Sequence, residues 1–414
     1  MAAKRLKGVI LNVEDTLLNL GKIKVDVFSE VTKLINFFTL RGITPVLLAN
    51  RIGTISLGNN SKDLFEYLEQ NFTNLVIFTP HRNHNIPNKP QAGATQYVLD
   101  QMQWVSNEVI YIGSRDVDMR TAVNGKMLFL RATWYNNNTG YGFEFNTPKE
   151  LARFIDTLCL RKHFWGHEIK DGHLEYYALA PFSTYKTEFQ KYSENARAAA
   201  KFGQGDVDFW LGALVTSMYF TGIHLRIDYI TAYPSHTNGV GNDKMNDDLM
   251  IFGKCFNKGY LHDLIERHTT AIKSQNARNQ GIIIDHHNQL NTIKLNQRPT
   301  KNCIKQYKTS PLNDQKTILL VDDICTKGYS LESARKYLEQ TGAKVIMVTW
   351  LKTINTDFQT IGDIQKFDPY QTTTTFLNVP LGRTYGYHEY HVDHAASEEL
   401  NEQLQQYIEW DWPI

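Results

Sequence analysis

"LLVDDICTKGYS" (residues 319–330) decides how the second half of this 414-residue chain is read. An apolar run ends in two adjacent acids, Asp322 and Asp323. A Thr-x-Gly-x-Ser loop follows at once, with Thr326, Gly328 and Ser330. The run reads as a buried strand, and "SLESARKYLEQTGA" (residues 330–343) as the helix after it. A tight glycine-containing turn opening onto a helix N-terminus gathers backbone N–H groups into an anion nest. Thr326 and Ser330 add hydroxyl donors and Lys327 adds charge, so this part suits a phosphate. Carboxylates facing the same phosphate would repel it. They suit neutral hydroxyls, or a bridging magnesium, beside it. A ribose 5-phosphate meets both demands, while a plain strand–turn–helix with aspartate caps would show the same local pattern.

Around this stretch the chain alternates strands and helices, the mark of βαβ units and parallel sheets. Residues 344–353 ("KVIMVTWLKT") form the next strand, and residues 225–234 ("LRIDYITAYP") an earlier one behind a long apolar helix at 207–222. The first half alternates likewise. Strands are expected at 7–13, 43–50, 74–80, 108–114 and 127–132, with helices at 24–42, 61–72, 92–105 and 116–126. A closing helix at 146–164 puts the boundary near 160. The expected organisation is α/β throughout: one unit over 1–160, a second over 161–355, and an extension over 356–414. That extension ends in an amphipathic helix with Trp410 and Trp412, packed on the second unit or on a partner.

Composition narrows the class. Net charge is +1, so no global field steers the chain to nucleic acid or an anionic membrane. Four scattered cysteines with no CxxC pair argue against a disulfide framework or zinc knuckle and favour a reducing cytoplasm. No stretch reaches the roughly 20 apolar residues of a membrane helix, and the start lacks a signal-peptide pattern. The pair His286-His287 is read as two structural residues on opposite faces of a strand, and Cys325 as a small spacer.

The opening stretch resembles the phosphoribosyl diphosphate (PRPP) motif of type I phosphoribosyltransferases: apolar strand, two acids, two spacers, Thr, spacer, Gly, spacer, Thr or Ser. Asp322, Asp323, Thr326, Gly328 and Ser330 meet every fixed position. The resemblance implies a type I phosphoribosyltransferase fold with a parallel sheet. Asp322 and Asp323 would hold the ribose 2- and 3-hydroxyls and, through PRPP, Mg2+. Cys325, Thr326, Lys327, Gly328, Tyr329 and Ser330 would grip the 5-phosphate. Tyr233, Pro234, Ser235 and His236 resemble the pyrophosphate loop, and "IERHTTAIKSQNARNQG" (residues 265–281) resembles a run of the ComF and amidophosphoribosyltransferase branch. Arg267 and Lys273 would stabilise departing pyrophosphate from a mobile loop. A hood that selects the acceptor is expected within residues 165–205 or the tail.

In the first half "VILNVEDTLLN" (residues 9–19) resembles the D-x-D-G-T-L motif of the haloacid-dehalogenase (HAD) superfamily. "TPVLLAN", Lys89-Pro90 and "VIYIGSRDVDMRTAVNGKM" follow in the order of that family's other motifs. The resemblance implies a Rossmann-like HAD fold with a degenerate site. Asn12 replaces the nucleophilic aspartate, Glu14 the second acid, Asp15 the glycine, Ala49 (beside Asn50) the second-motif hydroxyl and Ser114 a metal-side acid. Thr16, Lys89 and Asp118 remain. A carboxamide cannot attack phosphorus.

The expected function is therefore Mg2+- and PRPP-dependent phosphoribosyl transfer to an unidentified acceptor, with the HAD half as scaffold or sensor. The alternatives are a PRPP- or nucleotide-sensing effector, with an operon-encoded protein or nucleic-acid partner in stress or anti-phage defence, and an active HAD phosphatase. A homo-oligomer is compatible with the aromatic tail, and no membrane partner is expected.

Overall fold

The computed structural model describes residues 5–413, apart from 20–21, 52, 58–59, 236–242, 273–284 and 373–374. Six strands of the first half form one all-parallel sheet: β1 (Gly8–Leu11), β2 (Thr44–Leu48), β3 (Val76–Phe78), β4 (Val109–Gly113), β5 (Leu128–Ala132) and β6 (Phe143–Phe145). Their order is β3-β2-β1-β4-β5-β6. The central strands are near-continuous apolar runs, as strands covered on both faces must be. Helices α1 (Val25–Leu40), α2 (Leu64–Asn71), α3 (Ala92–Met102) and α4 (Asp116–Asn124) connect them.

The second sheet joins β7 (His167–Lys170), β8 (Glu175–Phe182), β9 (Tyr229–Ala232), β10 (Gly259–Tyr260), β11 (Thr317–Cys325), β12 (Lys344–Thr353) and β13 (His391–Val392). The order is β10-β9-β11-β12-β8-β7-β13. The first five are parallel, and β7 and β13 add an antiparallel edge. The chain is thus α/β with two predominantly parallel sheets. The β7–β8 pair falls where sequence patterning showed no strand, and β11 runs to Cys325, beyond the acids.

After α5 (Pro148–Phe154) the backbone continues as a π-helical turn, Ile155–Cys159. In the second half α6 is Thr187–Phe202, α7 Val207–Phe220, α8 Asp243–Cys255, α9 Tyr329–Glu339 and α10 His394–Glu409. From Phe209 onward α7 is buried all round. It lies between the halves: Tyr219 donates to Ser106 O (2.6 Å), and Asn107 donates to Phe220 O (3.2 Å). Where α7 crosses the π turn, a Cβ on Gly212 would come within 2.6 Å of Leu158 Cδ1 and 2.8 Å of the Phe154 ring.

The tail contacts both halves. Strand β13 extends the second sheet, while the Trp410 indole donates to Asp156 (2.9 Å) and the Trp412 indole to Glu30 (3.0 Å) in the first half. Overpacking a close helix crossing costs about 1–3 kcal/mol. Gly212→Val should therefore lower the melting temperature by several degrees, read by differential scanning fluorimetry. An unchanged transition would contradict the described crossing.

Candidate functional site

In parallel sheets, side chains gather for chemistry at the carboxyl ends of the strands. In the first sheet, three neighbouring strands bring together Asn12 after β1, Ala49 and Asn50 after β2, and Ser114 after β4. Lys89 completes the cluster from a loop whose backbone Asn50 holds: Asn50 accepts from Lys89 N (2.7 Å) and donates to Lys89 O (3.0 Å). The Lys89 ammonium donates to Asn12 Oδ1 (2.7 Å), Asp118 Oδ1 (3.0 Å) and Tyr111 Oη (3.3 Å). Asn12 Nδ2 in turn donates to Asp118 Oδ2 (2.9 Å) and Glu14 O (2.8 Å). Asp118 also accepts the Ser114 and Arg115 amides, at 3.3 and 3.1 Å. Burial, with Asp118 nearby, pushes the Tyr111 phenol well up, so it remains a proton carrier.

Asp15 adopts φ +59°, the left-handed region that favours glycine. Its carboxylate is held there by Arg115 Nε, Asn136 and Asn138, each at 2.8 Å. The Asp15 carboxylate is therefore engaged by three side chains distant in sequence. Ser114 Oγ donates to Asn136 O (2.9 Å), and Asp116 is solvent-exposed. Among the described residues, only Glu14 Oε2 and Thr16 Oγ1 remain as buried side-chain oxygens here without a hydrogen bond. A hard divalent cation asks for several oxygen ligands. This donor set does not fit one.

In the second sheet, the carboxyl ends of β9, β11 and β12 meet. Asp322 and Asp323 lie on the exit of β11, both half-buried. Asp322 Oδ1 accepts Asp323 N (2.8 Å), and Asp323 Oδ1 accepts Ile324 N (2.6 Å). Burial first, then the adjacent Asp323 charge, pushes the Asp322 carboxyl well above the usual carboxylate range. Asp323 Oδ2 faces the Lys201 ammonium at 3.2 Å, at the end of α6.

Gly328 takes φ +84° at the start of α9, and a Cβ there would meet the Phe358 ring at 2.6 Å. The turn therefore demands glycine twice, for its dihedral and for its neighbour. The hairpin of Phe358–Ile361 with Leu381–Tyr385 leans on this loop, with Gln359 N donating to Lys327 O (2.9 Å). Beneath it lies Lys352, wholly buried. Its ammonium donates to Thr326 O (2.5 Å) and Thr356 Oγ1 (2.9 Å), and to Thr356 O. Thr326 Oγ1 pairs with Thr353 Oγ1 (3.0 Å). Lys327 is exposed, and the Cys325 thiol is buried, which raises its pKa. That thiol is no nucleophile at neutral pH.

Tyr233 follows β9, its amide donating to Val321 O (2.8 Å). Arg267 does not sit on a mobile loop. It is in the strand Ile265–Arg267, 4% exposed, and donates to Ser235 O (2.6 Å), Thr292 Oγ1 (2.6 Å), Gln289 Oε1 (3.0 Å) and Tyr233 Oη (3.1 Å). Four of its five N–H donors fix the Tyr233–Pro234–Ser235 turn and its neighbours, which makes it a positioning residue. His236 and Lys273 lie outside the described residues.

His286 and His287 are not on a strand but at the start of the short helix His287–Leu290. Their atoms and Asp285 lie close enough to suggest a metal site. The hydrogen bonds say otherwise. His286 Nε2 meets Val379 O (2.7 Å). His287 Nε2 accepts Val379 N (3.2 Å), and its Nδ1 therefore donates to Asp285 (3.0 Å). With both His287 nitrogens engaged, a metal would have to break one of these bonds or form an imidazolate. The pair is a strap for the 379 segment.

Sequence reasoning missed Lys201 and Lys352. Each is an isolated lysine on a regular element with no local motif, brought to the site only by helix packing for Lys201 and by sheet order for Lys352.

No family model and no curated protein matches the sequence. Among solved structures, the chain is similar to a protein described as a phosphoglycolate phosphatase from Lactobacillus delbrueckii subsp. bulgaricus (16% identity, 31% of this chain, TM-score 0.25), spanning about half, 53%, of that protein. It is also similar to a HAD-superfamily hydrolase from Ehrlichia chaffeensis (14% identity, 37% of this chain and 98% of that one, TM-score 0.28). A UMP synthase from Leishmania donovani aligns over 83% of this chain and 71% of its own (11% identity, TM-score 0.20).

Two outcomes follow from these geometries. Lys89→Met leaves Asp118 buried without its cation, which should cost about 3–5 kcal/mol. A denaturation midpoint equal to wild type would contradict the ion pair. The raised Asp322 carboxyl binds its proton more tightly folded than unfolded, so its contribution to stability falls as pH rises above the ordinary aspartate range. Asp322→Asn should therefore raise the melting temperature of the ligand-free protein at pH 7 and leave it nearly unchanged at pH 4. A lower value at pH 7 would show that the charge is compensated.

Proposed function

We propose that the chain is a PRPP-dependent phosphoribosyltransferase whose HAD-like first half is a catalytically inert scaffold. The observation that carries the reading is the pairing, on one strand exit, of two half-buried acids with a glycine turn opening onto α9. Hydroxyls of a ribose suit acids of which one is easily protonated, because a neutral carboxyl and a carboxylate together both donate and accept. The 5-phosphate suits the turn, where Thr326 and Ser330 offer hydroxyls and the first amides of α9 have no intrahelical partner. Lys352, held by the carbonyl of Thr326, fixes the turn and places a positive charge behind it.

In the reaction the C1–O bond to diphosphate breaks, and its electron pair leaves with the diphosphate. An acceptor lone pair then bonds to the oxocarbenium-like C1. Mg2+ carried with PRPP supplies charge neutralisation, and the oxygen-only donors Asp322 and Asp323 are of the kind it accepts through the ribose hydroxyls. The chain's own part is to orient the sugar and to meet developing charge with fixed groups. Arg267 contributes by holding the Tyr233–Ser235 turn rather than by touching diphosphate.

The first half supports this division of labour. Its cluster is closed by the Lys89–Asp118–Asn12 network, so Asn12→Asp alone should not confer phosphatase activity on p-nitrophenyl phosphate.

Mg2+-dependent diphosphate release from PRPP should survive Asn12→Ala and be lost in the Asp322→Asn, Asp323→Asn double variant. Release unaffected by the double variant would overturn the assignment. Saturable PRPP binding without release across bases, amines and nucleic acids would replace transfer by ligand sensing.

A further inference from the structure

The ion pair between Lys201 and Asp323 poses a problem for any sugar that docks on the acids. The ammonium lies 3.2 Å from Asp323 Oδ2, so it occupies the carboxylate that a ribose hydroxyl would take. Lys201 is not a loose surface lysine. Its helix, α6, packs on β8 and β11. Tyr192 on α6 donates to Pro181 O (2.6 Å), and Ser193 Oγ accepts Ser183 N (3.2 Å). The helix ends at Gly203 in the left-handed conformation, just past Lys201, so the lysine stem starts from a fixed point. Its side chain is 39% exposed, so the ammonium is not enclosed by packing.

Exchanging a carboxylate partner for a neutral hydroxyl would strand the ammonium beside the sugar. The group that can take over is the anion on C1 of the same sugar, beside the pair of hydroxyls docked on the two acids. C1 is one bond from C2, and a lysine's four-carbon stem carries a point charge across such a distance. We infer that Lys201 pairs with Asp323 in the empty site and transfers to the C1 diphosphate when PRPP docks, so that it selects PRPP over ribose 5-phosphate. The inference rests on the phosphoribosyl reading above. It adds a residue from outside the motif and gives α6 a role in recognising the leaving group. A purely structural reading makes Lys201 a favourable cation at a helix C-terminus, with no effect on ligand choice.

The test compares the binding of PRPP and of ribose 5-phosphate, each with Mg2+, by isothermal titration calorimetry in wild type, Lys201→Met and Lys201→Arg. A charge-assisted bond to phosphate is worth about tenfold or more in affinity. In Lys201→Met, PRPP should weaken by about that factor. Ribose 5-phosphate should bind equally or more tightly, because its competitor for Asp323 is gone. Lys201→Arg should restore most of the PRPP preference. An unchanged ratio, or equal weakening of both ligands, overturns the proposal while leaving the phosphoribosyl site intact. Failure of wild type to bind either ligand overturns the phosphoribosyl reading, and this inference with it. Melting curves of the variants separate misfolding from these outcomes.

Discussion

Two acids on consecutive residues at the exit of a buried parallel strand are a costly arrangement, and much of the second half is organised around bearing that cost. Asp322 escapes part of it by holding its proton more tightly. Asp323 escapes it through Lys201. The cations around the site are graded. Lys352 and Arg267 are buried and held by neutral oxygens, whereas Lys201 is half-exposed and holds an acid. Lys352 and Arg267 therefore support the loops from within, whereas Lys201 stays partly open to solvent.

The first half illustrates the opposite use of similar residues. Lys89, Asp118, Asn12 and Tyr111 close on one another, and Asp15 is engaged by Arg115, Asn136 and Asn138. Most donors and acceptors there are satisfied internally, apart from Glu14 Oε2 and Thr16 Oγ1. The two strand-exit clusters are thus alike in architecture and opposite in state. The buried helix α7 and the tryptophans of the tail tie them into one body of packed side chains.

What could be read from residues alone followed from local physics. Apolar runs marked the central strands, and the acid pair with its glycine turn marked the strand–loop–helix of the second site. Asn12 was singled out by the resemblance to the HAD motif rather than by local physics. What escaped depended on tertiary order. Antiparallel β7 and β8 carry no distinctive alternation, since β8 is buried on both faces as an interior strand. Lys201 and Lys352 meet the acids and the loop only because α6 packs on β11 and β12 pairs with β11. Arg267 sits among polar residues in sequence and was expected on a mobile loop, yet a short strand pairing buries it. His286 and His287 looked like strand residues, and their partners at Val379 lie some ninety positions away.

The most direct measurement is a crystal structure of the protein with ribose 5-phosphate. The account places the phosphate against the amides and hydroxyls of residues 326–330, with the 2- and 3-hydroxyls on Asp322 and Asp323. The Lys201 ammonium would then be detached from Asp323. A ligand seated instead at Asn12 and Lys89, or a sugar held with the acids untouched, would contradict it.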